Sequence, residues 1–258
     1  MRLALIQRTS TPEALSTGCW RLSTRRMANV KNKDGLLRRI WHEIGRFLSV
    51  GIVWLLYRVK VYGKENIPTE GPVLVLSSHQ SLFDPVFCQG WLRRPFYYVP
   101  RDTLFVGFWG RIIDSFYTIP INLQKPGIES MRAIVDVLKR GHIVCLYPEG
   151  ARTFDGKIAE IKPGFSLLVR RSKASIVPLV IDGIFERWPR TQKYPKPGGR
   201  VGILYGKPIS AEYINGLGEE QFIGEFNHIL HQMHNDLRQK LGKQPYYGSA
   251  TLNINQHF

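Results

Sequence analysis

Cysteine is scarce in this chain. The three present, Cys19, Cys88 and Cys145, are odd in number and far apart. That argues against a disulfide framework and a cysteine-based metal site, and it fits a reducing compartment. Acidic residues are also short: 20 Asp and Glu against 36 Lys and Arg leave a net charge of +16. The basic pairs Arg38-Arg39, Arg93-Arg94, Lys139-Arg140 and Arg170-Arg171 have no zinc-finger, RNA-binding or recognition-helix pattern beside them, so nucleic acid is not the expected partner. An anionic membrane surface or phosphorylated substrates account for the charge more simply. Long apolar runs are missing too. The most apolar stretch, the eleven residues from Phe47 to Tyr57, rises only about 16 Å as helix, roughly half a hydrocarbon core. No G-x-S-x-G occurs, so serine chemistry of the nucleophile-elbow type is not indicated. His42-Glu43 lacks the second histidine of a zinc-protease motif. His228, His231 and His234 recur at i+3 without a carboxylate or Cys pattern, and they read as helix-surface residues rather than metal ligands.

What is present is organised around Ser78-His79-Gln80-Ser81-Leu82-Phe83-Asp84-Pro85, which follows the strand-like run Val73-Leu74-Val75-Leu76. On one continuous helix His79 and Asp84 would point about 140° apart. They meet only if the chain turns between them, from strand into loop or helix start. In that geometry Asp84 accepts a hydrogen bond from one ring nitrogen of His79, and the other nitrogen is free to take a proton from a hydroxyl.

A second motif, Tyr147-Pro148-Glu149-Gly150-Ala151-Arg152, follows another apolar run, Ile143 to Leu146. Arg152 is suited to gripping a phosphate bidentately, and Gly150 permits close backbone approach. Together these stretches resemble the glycerophospholipid acyltransferase family, of which the best-known members are 1-acylglycerol-3-phosphate acyltransferases. Its blocks run N/S-H-x-x-x-x-D, a block ending in arginine, a P-E-G-T-R-S-like block and a V-P-hydrophobic block. Here they appear as Ser78–Asp84, Ile119-Pro120-Ile121-Asn122, Pro148–Arg152 and Val177-Pro178-Leu179, between roughly residues 60 and 210.

The resemblance implies roles residue by residue. His79 is the base and Asp84 its orienter, while Glu149, Gly150 and Arg152 belong to the acceptor-phosphate site. Val99-Pro100-Arg101-Asp102-Thr103-Leu104 is similar to a K-x-E-L segment, which makes Arg101 a further phosphate ligand or a solvated arginine. Lys162, in Ile161-Lys162-Pro163-Gly164, stands where relatives carry K-x-G before a helix. Pro178 marks the fourth block, in the acyl-donor region, and as a proline it ends or bends a strand. Two departures stand out: Ala151 replaces the family's threonine, and Leu123 occupies the second block's arginine position, with Lys125 or Arg111 as candidate substitutes.

Along the chain, residues 1–34 hold seven Lys or Arg against Glu13 and Asp34. They read as a basic, flexible leader, a transit-type segment, or sequence upstream of a start at Met27 rather than Met1. Residues 35–60 read as a helix, amphipathic at first and then apolar all round, either lying in a membrane interface or buried in the core. Strand candidates at 73–76, 96–99, 116–121, 143–147, 176–181 and 201–205 alternate with helical stretches near 84–93, 103–114, 128–140, 163–172 and 219–241. This alternation predicts an α/β fold, a largely parallel central sheet flanked by helices with the site at strand ends. The catalytic domain would run 61–242, with a polar tail at 243–258.

The expected function is transfer of a fatty acyl group from acyl-CoA or acyl carrier protein to the hydroxyl of 1-acylglycerol 3-phosphate, giving phosphatidic acid. The resemblance implies no metal or tightly bound cofactor. It implies attachment to anionic membrane lipids on the cytoplasmic face of the (inner) membrane. Two alternatives stay open. One keeps the chemistry with another acceptor: a lyso-ornithine lipid, another lysophospholipid or glycerol 3-phosphate. The other is a non-catalytic basic protein binding membranes or nucleic acid.

Overall fold

The computed structural model describes residues 35–122 and 128–248. The basic leader with Met27, Leu123 and Lys125, and residues 249–258 lie outside the described residues. Six strands form one sheet: β1 (Arg58–Tyr62), β2 (Val73–Ser77), β3 (Phe96–Tyr98), β4 (Ile143–Leu146), β5 (Ser175–Asp182) and β6 (Arg200–Tyr205). Their order is β1-β6-β5-β2-β4-β3, and every pair is parallel except β5 with β6. β2 and β4 are apolar at nearly every position because both faces are covered, as a parallel sheet with helices on both sides requires.

Alternate residues feed two separate cores. Val73, Val75, Cys145, Val177 and Leu179 pack with Val53 and Phe87. Leu74, Leu76, Val144, Ile176 and Val180 pack with Ile134, Leu138, Phe226 and Leu230. The helices are α1 (Leu36–Leu56), α2 (Asp84–Gln89), α3 (Gly107–Ser115), α4 (Ile128–Lys139), α5 (Gly164–Ser172), α6 (Ala211–Gly216) and α7 (Glu219–Lys240). The predicted α/β class and its largely parallel sheet are what the structure has.

Several local readings differ. The helix predicted to reach residue 60 stops at Leu56, and Arg58–Tyr62 pairs in parallel with β6 as an edge strand. Its signal was the period of two in Arg58-Val59-Lys60-Val61, hidden behind a longer apolar run. Residues 116–121 form no ladder: single bridges join Tyr98 to Thr118 and Arg101 to Ile121, and Pro120 has no N–H to extend them. The core-helix reading of α1 does not hold either, since His42 and Val53 are its buried residues while Leu37, Trp54 and Leu55 are 84%, 72% and 80% exposed. No helix among the described residues is long and apolar enough to cross a membrane. One side of α1 docks on the domain. Arg38 donates to the carbonyls of Asp114 and Ser115, Arg46 donates to that of Gly90, and Gly45 leaves room for the Phe116 ring, which a Cβ would approach to 2.5 Å.

The C-terminal end holds two more corrections. His234 is no surface residue: it is fully buried, and its Nε2 lies 3.0 Å from Asp182 Oδ1. The same carboxylate accepts from Arg238 Nη1 at 2.9 Å and from Lys243 Nζ at 2.7 Å. Residues 243–248 are packed rather than loose. The backbone N–H groups of Tyr246 and Tyr247 donate to Asn235 Oδ1, and Tyr247 stacks on His231. These partners are invisible to a helical wheel because β5 and the tail supply them.

Burial raises the Asp182 carboxyl, but hydrogen bonds from His234 and Lys243 and the charge of Lys243 outweigh it and hold the group well below its ordinary value. A depressed carboxyl stabilises the fold above its unfolded-state pKa, and that contribution is lost as pH falls through the folded value. Asp182→Ala, which leaves Arg238 without its carboxylate and Lys243 with Glu186 alone, should lower stability by about 3–5 kcal/mol at neutral pH. The loss should shrink as pH falls below about 4. Urea unfolding midpoints against pH measure both.

Candidate active site

Because β3, β4, β2 and β5 run parallel, the loops at their C-terminal ends leave one edge of the sheet side by side. Strand order places the loop after β2, with His79, between the loop after β4, with Glu149 and Arg152, and the loop after β5. The loop after β3, with Arg101, lies beyond β4.

The turn that the sequence required between His79 and Asp84 is present. Asp84 opens α2 with Pro85 in its first turn, where Pro's missing N–H costs nothing. Its Oδ2 lies 2.6 Å from His79 Nδ1 and accepts the backbone N–H of Gln80 at 2.7 Å and of Ser81 at 2.8 Å. With Nδ1 donating to Asp84, neutral His79 carries its lone pair on Nε2. Asp84 is fully buried while the His79 side chain is 20% exposed, so the base reaches solvent and its orienter does not. Tyr147 stacks on the imidazole, with centroids 3.9 Å apart and planes 17° from parallel.

Glu149 is placed differently from its predicted role at the acceptor. It is buried, and both carboxyl oxygens are used internally: Oε1 accepts from His79 N at 2.7 Å and Oε2 from Ala159 N at 2.8 Å. Thr153 N donates to the His79 carbonyl at 2.8 Å. Glu149 is therefore a positioning residue that fixes the backbone of the base. Burial outweighs the two backbone donors and raises its carboxyl from 4.5 to about 8, so it is largely protonated at neutral pH. The site then avoids two adjacent negative charges, since Asp84 is close enough to contribute to the same shift.

Gly150 has φ +72°, and a Cβ there would sit 3.2 Å from Lys162 Cε. Its glycine serves the turn and lets the stem of Lys162 lie against it. Arg101 Nη2 donates to the Gly150 carbonyl at 3.0 Å, so Arg101, Gly150 and Lys162 lie together. Arg152 makes no side-chain hydrogen bond or ion pair among the described residues. Its pKa is lowered, first by burial and then by the guanidinium of Arg190, with Arg101 adding to the effect and Asp84 opposing it. Pro178 lies buried inside β5, paired with Leu76, as part of the sheet.

Sequence reasoning gave no site role to Tyr147, Gln80 or the loop after β5. Tyr147 had a legible signal, since it directly precedes Pro148-Glu149. Gln80 is buried and joins three loops: Nε2 donates to the Gly156 carbonyl, and Oε1 accepts from Phe185 N.

Comparison with known proteins places this arrangement among relatives. A family model described as Acyltransferase matches residues 58–182. A Bacillus subtilis 1-acyl-sn-glycerol-3-phosphate acyltransferase is 26% identical over 71% of this chain and 89% of its own length. The protein of that name from Pseudomonas aeruginosa is 28% identical over 67% of this chain and 66% of its own. A chloroplastic one from Arabidopsis thaliana is 24% identical over 68% of this chain but only 50% of its own. Among solved structures, the 1-acyl-sn-glycerophosphate acyltransferase PlsC of Thermotoga maritima superposes with a TM-score of 0.63 at 19% identity, covering 89% of this chain and 95% of that one. That match speaks for the fold.

Glu149→Gln should not be neutral. One of its two oxygens becomes an NH₂ facing a backbone N–H, which loosens the His79 backbone. A misplacement of about 1 Å can cost on the order of 10²-fold in turnover, so kcat should fall while circular dichroism stays native. A carboxyl held above its ordinary value keeps its proton in the folded state, so its ionisation lowers stability as pH rises from 4.5 through about 8. The Gln variant should lose that slope in urea titrations.

Proposed function

We infer, for a chain that belongs to the glycerophospholipid acyltransferase family, that the groove beside His79 binds 1-acylglycerol 3-phosphate and acylates its free hydroxyl, giving phosphatidic acid. The enzyme is an O-acyltransferase. The observation that carries the mechanism is the His79–Asp84 pair at 2.6 Å beside the cation Arg152. His79 Nε2 takes the proton of the acceptor hydroxyl as its oxygen attacks the thioester carbonyl carbon. The new ester C–O bond forms, the C–S bond breaks, and the imidazolium returns the proton to the departing thiolate. Asp84 keeps the imidazole in the required tautomer and stabilises it once charged. Arg152, with Arg101 and Lys162 nearby, holds the acceptor's phosphate.

The donor is an acyl thioester, acyl-CoA or acyl carrier protein, and no metal or bound cofactor takes part. We place the protein on an anionic membrane, at the cytoplasmic face of the inner membrane. The support is α1's outward apolar face, together with Val106, Phe108 and Trp109, which are 74%, 69% and 72% exposed. Tryptophans beside arginines suit the headgroup boundary.

The test is thiol release from palmitoyl-CoA by detergent-purified protein, with and without 1-acylglycerol 3-phosphate. Release should depend on the acceptor and fall about 10²–10⁴-fold in His79→Ala. Release with another lysolipid alone keeps the chemistry and replaces the acceptor. No release with any lysolipid and either donor sinks the enzymatic reading of this groove.

A further inference from the structure

The loop between β5 and β6, residues 183–199, is tied to the turn that runs from His79 to Asp84. Ser81 Oγ donates to the Trp188 carbonyl at 3.2 Å, and Phe83 meets the Trp188 ring edge-on with centroids 4.6 Å apart. Phe185 N donates to Gln80 at 3.2 Å. Two residues beyond Trp188, the Arg190 guanidinium lies over the ring of Phe154, 4.0 Å from its centroid. Phe154 is two residues from Arg152, so the two arginines approach the groove from opposite loops. Among the described residues neither Arg152 nor Arg190 forms a salt bridge. Arg101 adds a third guanidinium, committed by one hydrogen bond to the Gly150 carbonyl.

Arg190 and Arg152 repel each other, and the Asp84 carboxylate offsets this at Arg152 only in part. The arrangement is relieved when a dianion enters. The mutual repulsion is already felt at Arg152, where burial and then Arg190 lower the pKa. The Phe154 ring, itself 76% exposed, gives the exposed Arg190 guanidinium a cation–π contact, and a held guanidinium binds a phosphate with less loss of freedom than a free one.

We propose that Arg190 is a phosphate-binding residue of this site, closing over the phosphomonoester of the acceptor from the side opposite Arg152. This rests on the acceptor reading given above. A phosphomonoester also occurs on coenzyme A, so the experiment separates the two sources.

Full-length protein and its Arg190→Gln and Arg190→Lys variants are assayed with each substrate varied in turn. The expected result for Arg190→Gln is a rise of about 10–100-fold in KM for 1-acylglycerol 3-phosphate, the size of a lost charge-assisted hydrogen bond. The change in kcat should be smaller, the KM for palmitoyl-CoA should stay as in the native protein, and Lys should restore part of the loss. A rise in donor KM that disappears with 3′-dephospho-CoA assigns the arginine to the donor and overturns the proposal. So does an unchanged acceptor KM. A fall in kcat with a lowered melting temperature, not rescued by Lys, makes Arg190 a structural residue. Calorimetric binding of glycerol 3-phosphate gives a reading that needs no turnover. If the native protein binds it and Arg190→Gln does not, the phosphate site stands even where the acyl-transfer reading fails. Equal binding by both sinks it.

Discussion

One carboxylate oxygen sets the geometry of this site. Asp84 Oδ2 holds His79 Nδ1 and two consecutive backbone N–H groups at 2.6–2.8 Å. The same atom that orients the base therefore also folds the turn that presents it. Removing that oxygen would release the ring and the loop together. The neighbouring loops are built onto this turn: Glu149 grips the backbone of His79 from the β4 side, and Gln80 reaches Gly156 and Phe185. Buried polar groups are expensive unless satisfied, and here each satisfied group connects a different strand end. The loops around the site are tied to one another by these hydrogen bonds.

The two other buried acids show how sign of charge is managed. Asp182 lies between β5 and the end of α7, has Arg238 and Lys243 as partners, and remains ionised. Glu149, also buried, accepts from backbone N–H groups alone; burial above all, with the charges of Asp84 and Asp155, raises its carboxyl to about 8. The difference follows from cation placement. Arg152, Arg101 and Lys162 lie close by without ion-pairing to Glu149, so the active-site arginines are not consumed by internal acids. In a chain of net charge +16 such unpaired guanidiniums are what an anionic substrate meets.

Much of this was legible in one sequence. The alternation of apolar runs and amphipathic stretches gave the α/β class, and the turn between His79 and Asp84 follows from the incompatibility of their spacing with a helix. Gly150, read as permitting close backbone approach, takes a positive φ with the Lys162 stem against it. What escaped reading depends on contacts distant in sequence. β1 exists because β6 pairs with it, and His234 is buried because Asp182 and the tail close over it. Glu149 looks like a ligand in a linear motif, and only its distances to His79 N and Ala159 N show it facing inward. The sequence shows the arginine position of the second block filled by Leu123. It does not show that Arg190 comes close enough to act on Arg152, because Arg190 arrives from a different strand end.

The polar and apolar surfaces meet on the β3 side of the site. Arg101 is followed within a few residues by Leu104, Val106, Phe108 and Trp109, all exposed. α1 packs against the far end of the same short helix through Arg38 and through Trp41, whose indole N–H donates to Ser115 Oγ at 3.0 Å. An aqueous surface gains nothing from such a run of exposed aromatics, whereas a bilayer interface stabilises it. A lysophospholipid has the same division, a phosphate joined by a few bonds to an acyl chain. On the membrane placement proposed above, its head would reach His79 while its tail stayed in the bilayer. The helices would then limit what the site must bury to the polar part of the substrate, which the arginines and the imidazole are equipped to hold.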